Sequence, residues 1–193
     1  MKNTVQLLLI LTFFNACNYK SQTESKKEND INFKIDSVKN TKIEKTLKNQ
    51  LMKYLIAFNG GDPEKAISYC YPDIFIWMER QFPNDYNIES VKEMYRESIN
   101  NLKKTAKEEN LTYDFQIGEI TNKIDLGNQK LYSVVVSIIA KKKFDEFKLG
   151  DEIIAISFDN GSNWKFIQKD PETAPSILKM KFSNEIVQQI MSN

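Results

Sequence analysis

The sequence predicts an α+β domain in which helices come first and an antiparallel sheet follows. Up to about residue 109, apolar residues recur at steps of three and four; from Tyr113 onward they recur at every second residue. Turn residues rich in Gly, Asn and Asp separate the later apolar runs, as in a meander of strands. About 150 residues follow position 39, enough for a single domain with its own core.

The elements follow in order. Over 41–59, Ile43, Leu47, Leu51, Tyr54, Leu55 and Phe58 fall on one stripe of an amphipathic helix, which Gly60-Gly61 ends. Asp62 suits the N-cap of a second, short helix because its carboxylate accepts hydrogen bonds from unpaired N–H groups, and Pro63 suits the first turn. Pro72 ends that helix near Tyr71. Ile74 to Glu79 (IFIWME) reads as a short strand. Ser90 to about Glu109 is a third helix, with Val91, Met94, Tyr95, Ser98, Leu102 and Ala106 on its apolar stripe. Lys92, Glu93, Glu97, Lys103, Lys104 and Lys107 form its solvated face.

The period then changes to two. Tyr113, Phe115 and Ile117 alternate with Asp114, Gln116 and Gly118, and Gly127-Asn128 marks a turn. Leu131 to Phe144 is a long β-branched strand, Lys148 to Gly150 a turn, and Glu152 to Phe158 the next strand. Asp159 to Ser162 turns the chain into Trp164–Lys169. Pro171 and Pro175 break the chain, and a C-terminal helix over about 182–192 is capped by Ser183.

This order, with the segment Ala57 to Ile67 (AFNGGDPEKAI) joining the first two helices, resembles the nuclear-transport-factor-2-like superfamily, also called SnoaL-like or ketosteroid-isomerase-like. The resemblance covers roughly residues 42–170. It implies a strongly curved antiparallel sheet wrapped around the N-terminal helices, a cone of the cystatin-like kind, with a pocket at its open end. The superfamily holds isomerases, dehydratases and hydrolases beside many non-enzymatic binding domains, so the fold leaves function open.

Strand parity places the expected pocket. Tyr113, Phe115 and Ile117 face the helices, and Glu119 is the next residue of that parity. Tyr132, Val134, Val136, Ile138 and Ala140 form the matching set on the long strand, and Glu152, Ile154, Ile156 and Phe158 that of the next. Trp164 and Phe166 complete an aromatic-rich concave face. Phe115, Ile117, Val134, Val136, Trp164 and Phe166 are therefore the expected lining. A carboxylic acid in such a pocket has a raised pKa and can act as a general base or proton donor. Glu119 with Tyr113, Tyr132 or Tyr95 is the candidate set; the alternative is that Glu119 sits solvated at a strand end and the aromatics are plain core. The other face of the long strand (Leu131, Ser133, Val135, Ser137, Ile139) is also fairly apolar and calls for a cover, either the C-terminal helix or a second copy in a homodimer formed through the sheet.

Composition narrows the chemistry. The chain has no histidine, which removes Ser-His-Asp and Cys-His catalysis and the commonest zinc ligand. No phosphate-cradling glycine motif is present. Neither a metal nor a cofactor is expected. Met1-Lys2-Asn3, the apolar run Val5 to Phe14 and Ala16 carry the marks of a secretory signal over 1–16, since the run is well short of the roughly 20 apolar residues a membrane span needs. The cysteine directly after Ala16 resembles the lipobox of bacterial lipoproteins, which implies cleavage before Cys17 and diacylation of its sulfur. Two acyl chains give stable anchoring where one gives only reversible binding. Residues 17–39, rich in Lys, Glu, Asn and Ser, read as a disordered tether to a domain spanning 40–193. The chain carries 27 Lys+Arg and 26 Asp+Glu; losing residues 1–16 removes Lys2 alone, so the mature side chains balance and a nucleic-acid partner is not expected. With Cys17 acylated, Cys70 stands without a disulfide partner and reads as a small buried hydrophobe. The expectation is an exported, lipid-anchored protein of the cell envelope whose domain binds a small apolar ligand or a protein partner without catalysis. The rival is a pocket enzyme of isomerase, dehydratase or hydrolase type.

Overall fold

The computed structural model describes residues 42–143 and 145–192. The expected signal peptide and tether, Cys17 included, lie outside the described residues. Helix α1 spans Lys42–Gly60 and buries Leu47, Leu51, Tyr54, Leu55 and Ala57 on one stripe. Helix α2 spans Pro63–Tyr69; the Asp62 carboxylate accepts from Lys65 N at 3.2 Å, the cap the sequence expects. Helix α4 spans Ile88–Glu108 behind a reciprocal Asn87–Ser90 capping box, and turns Val91, Tyr95 and Ile99 inward.

Between them the expected strand is a helix, α3, over Asp73–Gln81. A short apolar run has no readable period when both of its sides are buried. That is the situation here: Phe75 and Met78 enter the core beneath the sheet, while Ile74 packs on a second core and Trp77 on both.

Four strands follow, β1 (Leu111–Leu126), β2 (Gln129–Lys142), β3 (Asp145–Ser157) and β4 (Lys165–Gln168), antiparallel in the order β1-β2-β3-β4. The β2–β3 hairpin turns at Lys143, in a left-handed conformation (φ 44°), five residues earlier than the turn expected at Lys148–Gly150. Lys148 to Gly150 continue β3, paired with Ile139 to Ser137. The β1–β2 register shifts twice, between Ile117 and Ile120 and between Ile120 and Asn122. Each shift sets an extra residue into β1, bends the strand and reverses which parity points inward.

Pro175 begins a short helix rather than only breaking the chain: α5 spans Ala174–Leu178, and α6 spans Asn184–Met191 with Ser183 as its N-cap. These two helices cover the outer face of the sheet. Ala174, Ile177, Leu178, Phe182, Val187 and Ile190 form the second core with Ile124, Leu131, Ile154, Ile156 and Ile167. The expected cover is thus supplied, in this region, by the C-terminal helices of the same chain.

The first core lies between the inner face of the sheet and α1 to α4. It contains Tyr132, Val134, Val136, Ile153, Ala155, Trp164 and Phe166 from the strands. On β3 this is the opposite parity to the one expected: Ile154 and Ile156 point outward, and Ile153 and Ala155 inward. The cause is the hairpin register, which sets Tyr132 against Ala155 and Val134 against Ile153. Among the described residues, no helix is long and apolar enough to cross a membrane.

Candidate functional site: the open end of the inner sheet face

The parity of β3 brings forward a carboxylate that the sequence reading passed over. Asp151 lies opposite Val136, an inward residue of β2, and so belongs to the inner face. Gln168 of β4 donates from Nε2 to Asp151 Oδ2 at 2.8 Å, and the Glu152 amide donates to Oδ1 at 2.7 Å. Burial pushes the Asp151 carboxyl up to about 6, against the pull of those two hydrogen bonds. Asp170 and Glu152, which share its charge, push it the same way as burial does. The oxygen of that side-chain amide, Gln168 Oε1, is buried and accepts no hydrogen bond in the described structure.

Away from Asp151 the inner face continues toward the β2–β3 turn in apolar rows. Phe115, Ile138 and Leu149 stand side by side, then Tyr113, Ala140 and Phe147. Five of these six are half-buried, and Phe147 is 57% exposed. The opposite end of the same face is closed core, with Val134, Val136, Trp164 and Phe166 at 1% exposure or less. Of the expected lining, then, Phe115 and Ile117 border the open part, and the other four lie in the packed part.

Beside the closed part sits a buried hydroxyl–thiol cluster. Tyr54 Oη and Tyr95 Oη lie 3.2 Å apart, and the Cys70 thiol donates to Tyr95 Oη at 3.1 Å. Tyr54 stacks on Phe166 at 5.5 Å, and Phe75 meets the Tyr95 ring edge-on at 6.1 Å. Burial raises both phenols well above their usual range and the Cys70 thiol to about 11. A thiol held protonated in this way is a poor nucleophile, so Cys70 serves as a packed, hydrogen-bonded core residue. The negative charge of Asp151 adds to the rise at Tyr54.

The expected catalytic set is not assembled. Glu119 lies in the first register shift of β1 and is exposed; Ile120 takes the inward seat that simple alternation gives to Glu119. Tyr132 donates its hydroxyl to Asp125 Oδ1 at 3.0 Å, and Lys130 holds the same oxygen at 2.8 Å. Tyr113 is half-buried on the open face, whereas Tyr95 is engaged with Cys70 and Tyr54. Glu152, expected inward, points to the outer face. It accepts from Ser133 Oγ at 2.8 Å and from Thr121 Oγ1, and pairs with Lys169 at 2.9 Å. The Lys169 side chain is 4% exposed and also reaches Ser192 O at 3.4 Å, at the end of α6. Burial pushes the Glu152 carboxyl up, but the Thr121, Lys169 and Ser133 hydrogen bonds outweigh it and hold it below the usual range.

No turn-forming residue at the β2–β3 connection signals Asp151 in the sequence; the pairing of Lys142 with Asp145 sets the register, and that register places Asp151 opposite Val136. Among the described residues, no cluster of three or more Cys, Asp or Glu is arranged to hold a metal ion.

No family model matches the chain, and no curated protein does. TsrD from Streptomyces laurentii is a solved structure to which the chain is similar at a TM-score of 0.28 and 14% identity, over 64% of this chain and 87% of that one. So distant a likeness leaves the fold to be argued from the chain's own geometry: a mixed α+β domain, four antiparallel strands with helices on both faces.

Proposed function

We propose that the chain is an exported lipoprotein, held to a cell-envelope membrane by lipid on Cys17, whose nuclear-transport-factor-2-like domain is a non-catalytic binding module for a small apolar ligand. One observation carries the binding reading: the inner face of the sheet is packed at one end and left open at the other, where Tyr113, Phe115, Ile138, Phe147 and Leu149 line it. A few polar groups beside an apolar surface are the common form of a small-molecule site, and Asp151 with Gln168 supplies them. The superfamily reading is supported by helices preceding a bent antiparallel sheet and packing on its inner face. The anchor reading is supported by the apolar run and Cys17.

Native mass spectrometry of the full chain carrying Cys17→Ser tests the binding reading. The expected result is a retained small molecule, or uptake of added dodecanol at one equivalent. A folded chain that carries nothing and takes up no dodecanol would end it. Fractionation of cells making the same variant tests the anchor: the protein should leave the membrane fraction, and persistence there would overturn the anchor.

A second reading, a pocket enzyme of isomerase, dehydratase or hydrolase type, is favoured by one feature. Asp151 is a partly buried acid raised to about 6, close enough to Tyr54 to act on it. On that reading Asp151→Ala abolishes turnover of an added enolisable ketone, while Glu119→Ala leaves it unchanged.

A further inference from the structure

The reading of the inner face as an apolar binding site leaves open what lies at its polar end, and that end is built for a particular head group. Asp151 and Gln168 are cross-strand neighbours at the boundary between closed core and open face. Their mutual bond uses one Asp151 oxygen and one of the two N–H donors of the amide, and Gln168 Oε1 remains a buried acceptor without a partner. Such an orphan is destabilising unless a donor meets it. Each carboxylate oxygen accepts more than one hydrogen bond, so Asp151 has capacity left as well. The pair therefore offers more acceptors than donors.

Charge points the same way. The charged groups that act on Asp151 most strongly, Asp170 and Glu152, are acidic. Of these, Glu152 is already paired with Lys169 on the outer face. An entering cation would meet an acid whose charge is only partly compensated by hydrogen bonds, in a site partly shielded from water, where attraction is stronger than at an open surface.

The apolar rows supply the other half of the ligand. Phe147 lies four residues from Asp151 along β3, about 13 Å at strand spacing. Leu149 and Ile138 lie between, with Phe115 and Tyr113 beside them on β1. A straight or flat apolar body of that length, ending in an ammonium group, satisfies both halves together.

We propose that the inner face binds a cationic amphiphile, an alkyl- or aryl-ammonium compound whose N–H donors meet Asp151 and, as the Gln168 amide turns toward the ligand, its Oε1, while its apolar body lies along Phe115, Ile138, Leu149 and Phe147. The proposal rests on the binding function set out above, and its test separates the two. The full chain carrying Cys17→Ser is titrated at neutral pH with dodecylamine, dodecanol and laurate, below their micellar concentrations, by isothermal calorimetry. Dodecylamine should bind about tenfold tighter than dodecanol and tighter still than laurate. Asp151→Asn should remove that preference while leaving dodecanol binding within about twofold, and Gln168→Leu should weaken dodecylamine several-fold. Circular dichroism establishes that each variant is folded, and either variant alone suffices if the other is not. Equal binding of all three probes, or a dodecylamine preference unchanged in the folded variants, overturns the ammonium assignment and leaves the apolar site standing. Binding of none of the three by the folded chain overturns the binding function itself.

Discussion

Asp151 and Glu152 are adjacent in sequence, sit on opposite faces of β3, and have their carboxyl groups pushed in opposite directions. Glu152 faces a finished interface, where three side-chain donors from β1, β2 and the segment after β4 surround it and hold it ionised. Asp151 faces the inner side, where one side-chain donor and one amide meet it and burial prevails. The same residue chemistry marks a docking joint on one face and an unfinished site on the other. Over Leu131, Ile154 and Ile156 the outer face is closed by the chain's own C-terminal helices, and the inner face is closed as far as Val136 and then continues in apolar rows. Unfilled acceptors and exposed aromatic surface occur together on that side, as a ligand site requires.

Substitutions on the two faces should differ in their effects, and those in the packed cores should cost most. Trp164→Ala on the inner core and Ile190→Ala on the outer core each remove a side chain no more than 1% exposed. They should cost about 3–5 and 2–5 kcal/mol respectively in urea-induced unfolding, because both ends of the packed structure behave as one cooperative core. A loss below about 1 kcal/mol at Ile190 would mean that the C-terminal helices dock independently of the sheet.

Lys169→Met leaves Glu152 without its cation in a largely buried site and should cost about 3 kcal/mol at neutral pH. Glu152 titrates lower in the folded chain than in the unfolded one, so its contribution is present above the unfolded value near 4.3 and is lost as the pH falls through the lowered folded value. Asp151 carries the opposite sign. Its folded value, about 6, exceeds the unfolded value near 3.9, so the folded state binds more protons between them and stability falls as pH rises through that window. Asp151→Asn should therefore stabilise the ligand-free chain at pH 7 by up to about 3 kcal/mol and remove the gain otherwise seen on acidification from pH 7 to 5. Thermal unfolding across that range checks it; a variant less stable than the parent at pH 7 would show that Asp151 is a structural ion.

The smallest stability effects are expected where function is proposed. Phe147→Ser, at a side chain 57% exposed, should change stability by no more than about 0.5 kcal/mol yet weaken dodecanol binding. Glu119→Ala should change neither, since its side chain is exposed at a β-bulge. Loss of ligand binding in Glu119→Ala would return that residue to the site.

How much of this was legible in the sequence depends on whether one face of an element meets water. Helices α1 and α4 each have a solvated face, so their stripes show through, and the caps at Asp62 and Ser183 are local chemistry. Ile99, buried on α4 but outside the expected stripe, lies four residues after Tyr95 and next to Ser98, the residue the stripe expects there. Helix α3 and strand β3 are buried on two sides, and there apolar residues are continuous and the phase is lost. On β1 the phase is clear up to Ile117 and then reversed by the bulges, which no local residue pattern announced. The candidate site suffered from both effects: a bulge removed Glu119 and a phase error hid Asp151.

The open end of the inner face, and not the outer face, is the surface proposed to bind. Methyl NMR of the full chain carrying Cys17→Ser and isotope-labelled isoleucine reads both faces at once. On titration with dodecanol, Ile117 and Ile138 should shift together, while Ile154 and Ile190 on the outer core stay in place. Shifts centred on Ile154 and Ile190, with Ile117 and Ile138 unmoved, would contradict the account.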